Sequence, residues 1–201
     1  IPMFVFKASG KLINYNNKGG LLLIEQPQYP RYSLWYKSCE FLNYFENQKK
    51  FVSQLAQGPK QKLTIRLSSS GFNIKLNETS RWLDFDRSLK IDDGKAKMRD
   101  LITDSRLVIH SYDSTGLLET FSQNIPTLAF WQNEFDHLRE EVKPHYQMLV
   151  DSGILHFSFK SAANKVNEIW DDVDGWWLQS NVQDSKKRFC DIYANDLNID
   201  K

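Results

Sequence analysis

Residues 105–131 read SRLVIHSYDSTGLLETFSQNIPTLAFW, and the order of apolar runs and turns in this stretch decides the fold. Arg106–His110 (RLVIH) is a short, continuous apolar run, as in a strand buried on both faces. Thr115–Gln123 brings Leu117, Leu118 and Phe121 to one side at helical spacing. Pro126 then opens a second apolar run that ends at Trp131. Strand, helix and strand in such close succession predict two parallel strands joined by a crossover helix.

The same alternation extends in both directions. Upstream, Gly20–Gln26 (GLLLIEQ) predicts a buried strand, and Pro27 and Pro30 break regular structure directly after it. Apolar residues at Leu42, Phe45, Val52 and Leu55 predict a helix between about Leu34 and Gln57, stopped by Gly58-Pro59. Lys62–Leu67 (KLTIRL) alternates as a strand, Ser68–Asp86 reads as irregular, and Ser88–Ile91 as a short third strand. A charged helix is expected over Gly94–Asp104. Downstream, the expectations are a helix over Asp136–Ser152 kinked at Pro144, and a strand at Ile154–Phe157. An amphipathic helix over Ser161–Val173 and a helical tail over Trp176–Leu197 complete the chain. Strands alternating with helices predict an α/β, Rossmann-like three-layer domain with a mostly parallel sheet of about six strands. That domain is expected over residues 20–197. Residues 1–19 are poorly patterned and read as an irregular segment, or as the remnant of a connection to an absent N-terminal half. Ile1 in place of Met agrees with a fragment of a longer protein.

Charge and composition narrow the function. Lys and Arg number 26 against 25 Asp and Glu, which lacks the broad positive footprint of a nucleic-acid binder, so no nucleic-acid partner is expected. The two cysteines, Cys39 and Cys190, supply neither a disulfide framework nor zinc spacing, which favours a reducing, cytoplasmic setting. No apolar run has the length of a membrane span, and no signal peptide opens the chain. Glycine-rich dinucleotide and phosphate-loop signatures, H-E-x-x-H and the G-x-S-x-G elbow are all missing, and no metal site and no cofactor are expected.

In an open α/β sheet, ligands bind beyond the carboxyl ends of the strands. His110-Ser111-Tyr112-Asp113-Ser114-Thr115-Gly116 links such an end directly to a helix, whose first amides and dipole favour an anion. Two readings stay open: Ser114 or Thr115 caps the helix, or Ser114, Thr115 and Gly116 admit a phosphate, with Glu119 one turn on for ribose hydroxyls. Arg66, at the end of its strand before Ser68-Ser69-Ser70-Gly71, is either a phosphate partner or a surface arginine. In WQNEFDHLR (131–139), Trp131 is either a stacking face or core, and Asn133, Glu134 and Arg139 either contact a ligand or form a solvated first turn. Trp170, Trp176 and Trp177 read as anchors of the last helices. The sequon Asn77-Glu78-Thr79 reads as inert.

The run from Ser105 to His156, with NEIWDDVDGWW (167–177), resembles a bacterial family of transferases found with surface-polysaccharide genes. The resemblance covers about residues 60–195. That family is similar to the GT-B superfamily of glycosyltransferases, sugar-nucleotide epimerases and polyol-phosphate transferases. The resemblance implies the C-terminal, donor-binding half of a GT-B fold, with a nucleotide-activated sugar as ligand and a metal-independent reaction in surface polysaccharide synthesis. It implies that Ser114, Thr115, Gly116 and Arg66 meet the donor phosphates and that Glu119 holds the ribose. His110, Tyr112, Asp113, Asn124, Pro126, Trp131 and Arg139 would form the rim. It also implies a missing N-terminal acceptor domain, which commonly carries the catalytic base, and a place in the cytoplasm, compatible with peripheral contact at the inner face of the membrane. Related polyol-phosphate transferases carry Arg-x-His-Pro after the second strand, where this chain has RLSSS. Polyol-phosphate transfer and a non-catalytic assembly module are the alternative readings.

Overall fold

Gly20–Ile24 (β1) is buried at every position after the first, because it runs through the middle of a sheet covered on both faces. The computed structural model describes residues 15–25, 39–68 and 77–194. After β1 come α1 (Cys39–Gln54), α2 (Gln57–Gln61), β2 (Leu63–Arg66), α3 (Glu78–Phe85), β3 (Lys90–Asp92) and α4 (Met98–Thr103). The central unit is β4 (Ser105–His110), α5 (Thr115–Ser122) and β5 (Thr127–Phe130). A 3-10 turn at Glu140–Val142, α6 (Lys143–Asp151), β6 (Leu155–His156) and α7 (Phe159–Ile169) come next. A second 3-10 turn, Trp170–Asp172, leads into α8 (Val173–Trp177) and α9 (Ser180–Tyr193).

All pairings are parallel, in the order β3-β2-β1-β4-β5-β6. This is the doubly wound order, which reverses between β1 and β4 and opens a crevice at their carboxyl ends. Register is fixed by alternation. Leu21, Leu23, Leu107 and Ile109 enter one apolar cluster, while Leu22, Ile24 and Val108 enter another with Ile102 and Ile125. α1 packs on α7, and α9 packs on α5 and α6. Each fully buried Leu, Ile or Phe contributes about 1.5–3 kcal/mol to this core. Trp177 and Phe189 close it over Phe121. Residues 15–19 are tied down before β1: the Tyr15 hydroxyl donates to Asp174 at 2.6 Å, and a Cβ on Gly19 would lie 2.2 Å from the Asp104 carbonyl oxygen. No helix among the described residues is long and apolar enough to cross a membrane.

The structure differs from the sequence reading in several places, and Gly58-Pro59, read as a helix stop, lies inside the short α2. The stretch read as irregular contains α3, which forms because Trp82 is fully buried against Phe45 and donates to Glu25. β3 lies two residues later than expected, and α4 begins at Met98 rather than Gly94. Pro144 does not kink a long helix. It sits in the first turn of α6, where its missing N–H costs nothing, and residues 133–139 are turns. The tail is two helices, α8 and α9, rather than one. Ser69–Gly71 and residues 1–14 of the expected N-terminal segment lie outside the described residues.

One buried carboxyl marks the carboxyl end of β1. Glu25 is 5% exposed; its Oε2 accepts from the Trp82 indole at 3.1 Å, and its Oε1 has no partner. Burial, reinforced by repulsion from the nearby buried Glu78, pushes Glu25 up to about 8, and burial pushes Glu78 up to about 7. The folded state therefore holds a proton on Glu25 that the unfolded chain releases near 4.5. The resulting stabilisation is present below that value and is lost as pH rises through about 8. Glu25→Gln should flatten this loss and gain on the order of a few kcal/mol relative to wild type at pH 8.5. Urea melts at pH 5 and 8.5 test it, and parallel curves for the two proteins would refute the assignment.

Candidate functional site

β4 ends at His110, beside Ile24 of β1, at the point where the strand order reverses. The Ser111 hydroxyl donates to the Ile24 carbonyl at 2.9 Å and lies 2.6 Å from the Tyr44 hydroxyl, which closes the crevice floor. From there Tyr112 and Asp113 lead to Ser114, the extended residue that starts α5. Ser114 is the N-cap by position, yet its side chain makes no capping hydrogen bond, and its buried Oγ has no partner. The capping reading therefore fails at Ser114; the Leu117 amide donates to the Ser114 carbonyl at 3.1 Å, and the amides of Thr115 and Gly116 are left to another acceptor.

A second buried polar atom reaches the same place. His110 is 1% exposed, and burial pushes its imidazole down to about 4, so it is neutral at physiological pH. Its Nε2 lies 3.4 Å from Thr120 Oγ1, and its Nδ1 has no partner. A Cβ built on Gly116 would lie 3.0 Å from His110 Cε1, 3.5 Å from Nδ1 and 3.4 Å from Ser114 Oγ. The His110 ring thus packs directly on the Gly116 backbone in the first turn of α5, with the two unsatisfied polar atoms beside it. Beside it, a cavity of about 440 Å³ runs from Asp113, Ser114 and Thr115 to apolar walls that include Leu118, Tyr146 and Tyr193.

The expected site residues separate into two groups. His110, Asp113, Ser114, Thr115 and Gly116 gather around the start of α5, and Glu119 stands exposed one turn on. Tyr112 is half-buried against the Leu22 and Ile24 cluster. Arg66 lies on β2, separated from β4 by β1, and its buried guanidinium is ion-paired with Asp92. Asn124 and Pro126 sit past the far end of α5, about 12 Å along its axis from its first turn. There Asn124 accepts from Lys186 at 2.6 Å and from the Trp177 indole at 3.2 Å. Trp131 is core rather than an open stacking face: it is 8% exposed and its indole donates to Glu134 O at 3.0 Å. Arg139 is exposed at the start of the 3-10 turn.

Two features escape a reading of the sequence. The Glu25, Glu78 and Trp82 group carries no motif, its only signal being a carboxylate directly after an apolar run. The second is a cluster on Asp113, whose Oδ2 accepts from the Tyr146 hydroxyl at 2.9 Å and lies 3.2 Å from His137 Nε2. These three residues are far apart in sequence and meet only through the sheet topology.

A family model described as LIC12162 family transferase matches residues 1–199. No curated protein matches the chain. Among solved structures it is similar to WaaG, a glycosyltransferase involved in lipopolysaccharide biosynthesis, at 13% identity and a TM-score of 0.47 over 90% of this chain and 48% of that one. It is similar to Anabaena HepE, solved with UDP-glucose, at 12% identity and a TM-score of 0.49 over 88% of this chain and 45% of that one. It is also similar to the wall teichoic acid polymerase TagF, at 12% identity and a TM-score of 0.47 over 90% of this chain and 41% of that one. The chain spans less than half the length of each of these three.

The neutral His110 has a consequence for acid stability. Its folded value lies below the ordinary 6.5, so the unfolded state takes up the proton first and stability falls as pH drops from 6.5 through about 4. His110→Gln, which carries no proton in this range, should remove up to about 3 kcal/mol of that pH dependence. Denaturant melts between pH 7 and 4 give the comparison. An unchanged acid limb would mean that His110 is not buried as a neutral ring.

Proposed function

The chain belongs to the LIC12162 family of transferases, and on that premise we propose that it is the donor-binding domain of a glycosyltransferase that uses a nucleotide-activated sugar in surface polysaccharide synthesis. One observation carries this reading: the start of α5, at the carboxyl end of β4, has no side-chain cap, and Ser114 Oγ and His110 Nδ1 are both unsatisfied beside Gly116. The amides of Thr115 and Gly116 and the Ser114 hydroxyl hold the diphosphate. Glu119 accepts from ribose hydroxyls one turn on. Arg66 is committed to Asp92, so the assignment of phosphate contacts rests on α5 alone.

In the reaction, an acceptor hydroxyl attacks the anomeric carbon while the bond from that carbon to the diphosphate oxygen breaks. The leaving diphosphate gains negative charge, and fixed helix amides stabilise it without reorganising. The acceptor site and the base belong, on this reading, to a second domain across the strand-end crevice. The reaction runs on the cytoplasmic side, at the inner face of the membrane, where a soluble donor meets a membrane-held acceptor.

Thermal shift and calorimetry with UDP, GDP and CDP test the donor site, since a ligand at 100 times its Kd stabilises by about 2.7 kcal/mol. One base should stand out. Gly116→Ala places a Cβ 3.0 Å from His110 Cε1 in the first turn of α5 and should weaken that ligand tenfold or more. Glu119→Ala, at an exposed position, should weaken it by about 1–1.5 kcal/mol with stability unchanged. Silence across all three nucleotides, or affinity indifferent to both variants, would put the assembly-module reading in front.

A further inference from the structure

The cavity beside the first turn of α5 carries its polar groups at one end. Asp113, Ser114 and Thr115, three consecutive residues, form that end. Leu118 of α5 and, on the turns before α6, Leu138 and Val142 give an apolar wall. An aromatic wall completes it: Tyr146 meets Phe189 edge-on with centroids 5.0 Å apart, and Phe189 lies 4.7 Å from Tyr193. The tyrosine hydroxyls are already engaged. Tyr146 donates to Asp113 Oδ2 at 2.9 Å, and the Tyr193 hydroxyl lies 2.7 Å from His145 Nδ1. His137 Nε2 approaches the same Asp113 oxygen at 3.2 Å, which leaves Oδ1 to accept from a further donor.

Such a cavity sorts the parts of an activated sugar. The inference rests on the donor-site reading above, which puts the diphosphate on the amides of Thr115 and Gly116 and the ribose at Glu119. Glu119 takes no part in the cavity, which is therefore left for the group on the other phosphate. A nucleobase is a poor occupant, because its edge carries donors and acceptors and the described walls past Thr115 offer them no free partner. A fully hydroxylated hexose has the same difficulty: each hydroxyl turned to Leu118, Val142 or Phe189 loses water and gains no hydrogen bond. A methyl group in that place loses nothing and gains from burial. The Asp113 carboxylate repels a phosphate, and its chemistry suits a hydroxyl or an amide N–H at the polar end.

We propose that this cavity holds the transferred sugar and selects one that bears a methyl group, as an N-acetyl or a 6-deoxy sugar does. Asp113 accepts from a hydroxyl or amide N–H of that sugar, and the methyl group packs against the apolar walls at Leu118 and Val142.

Sugar 1-phosphates test this on the intact chain without a base, since each brings a phosphate for α5 and a sugar for the cavity. Calorimetry compares N-acetylglucosamine 1-phosphate and 6-deoxyglucose 1-phosphate with glucose 1-phosphate. One of the two methyl-bearing probes should bind about tenfold or more tightly than glucose 1-phosphate, and which one it is names the source of the methyl group. Val142→Phe fills the cavity from a half-buried position, and should abolish that preference while leaving affinity for the nucleoside diphosphate unchanged. Leu138→Phe, at a second half-buried position, makes the same test should Val142→Phe fail to fold. Glucose 1-phosphate binding as tightly as both other probes would overturn the proposal. So would a cavity-filling variant that weakens the nucleoside diphosphate as strongly as the sugar phosphates, which would put the nucleoside in the cavity. In both cases nucleoside diphosphate binding that is lost in Gly116→Ala leaves the donor site standing, whereas no binding of any nucleoside diphosphate removes both.

Discussion

A helix that starts directly after a central parallel strand has backbone amides with no acceptor, and a doubly wound sheet aims them at the crevice where the strand order reverses. In this protein that helix is α5, and its first turn is left unusually bare. The Ser114 side chain does not cap it, and His110 packs a neutral ring against Gly116 with one nitrogen unused. A buried polar group without a partner costs stability, on the order of 1–3 kcal/mol for each such atom. Two such atoms meet at the first turn of α5, and the proposed function is centred there.

The surrounding charges obey the same crevice. Burial beside β1 keeps Glu25 protonated, burial on β4 keeps His110 neutral, and the ion pair between Arg66 and Asp92 cancels the charge on β2. The middle of the sheet is thus electrically quiet at its carboxyl ends. The charges that can act on a ligand stand outside the strands, at the half-buried Asp113 and the exposed Glu119.

The alternation of strands and helices is legible in the sequence because the central strands β1, β4 and β5 are short, mostly apolar runs bounded by polar turns, so the class of fold and the start of α5 come directly from residues 105–131. Element ends are less so. α3 is hidden because three apolar residues give little periodicity, and only the packing of Trp82 on Phe45 and Glu25 makes the helix form. Pro144 reads as a kink because its preference for the first turn of a helix depends on where the preceding turn ends. In the candidate site, adjacent residues are visible in the sequence and distant ones are not. Ser114, Thr115 and Gly116 share one turn, whereas Asp113, His137 and Tyr146 meet across two crossovers. Resemblance places Asn124 and Pro126 near the site, and the length of α5 carries them to its opposite end.

The central claim is that the first turn of α5 binds the phosphates of a nucleotide donor. It is tested most directly by titrating the 15N-labelled chain with the nucleoside diphosphate that stabilises it best and following backbone amide resonances. The account predicts that the largest shifts fall on Thr115 and Gly116, with smaller ones near Glu119 and little change at Arg66 or Asn124. Shifts centred elsewhere, with the amides of α5 unmoved at saturation, would contradict it.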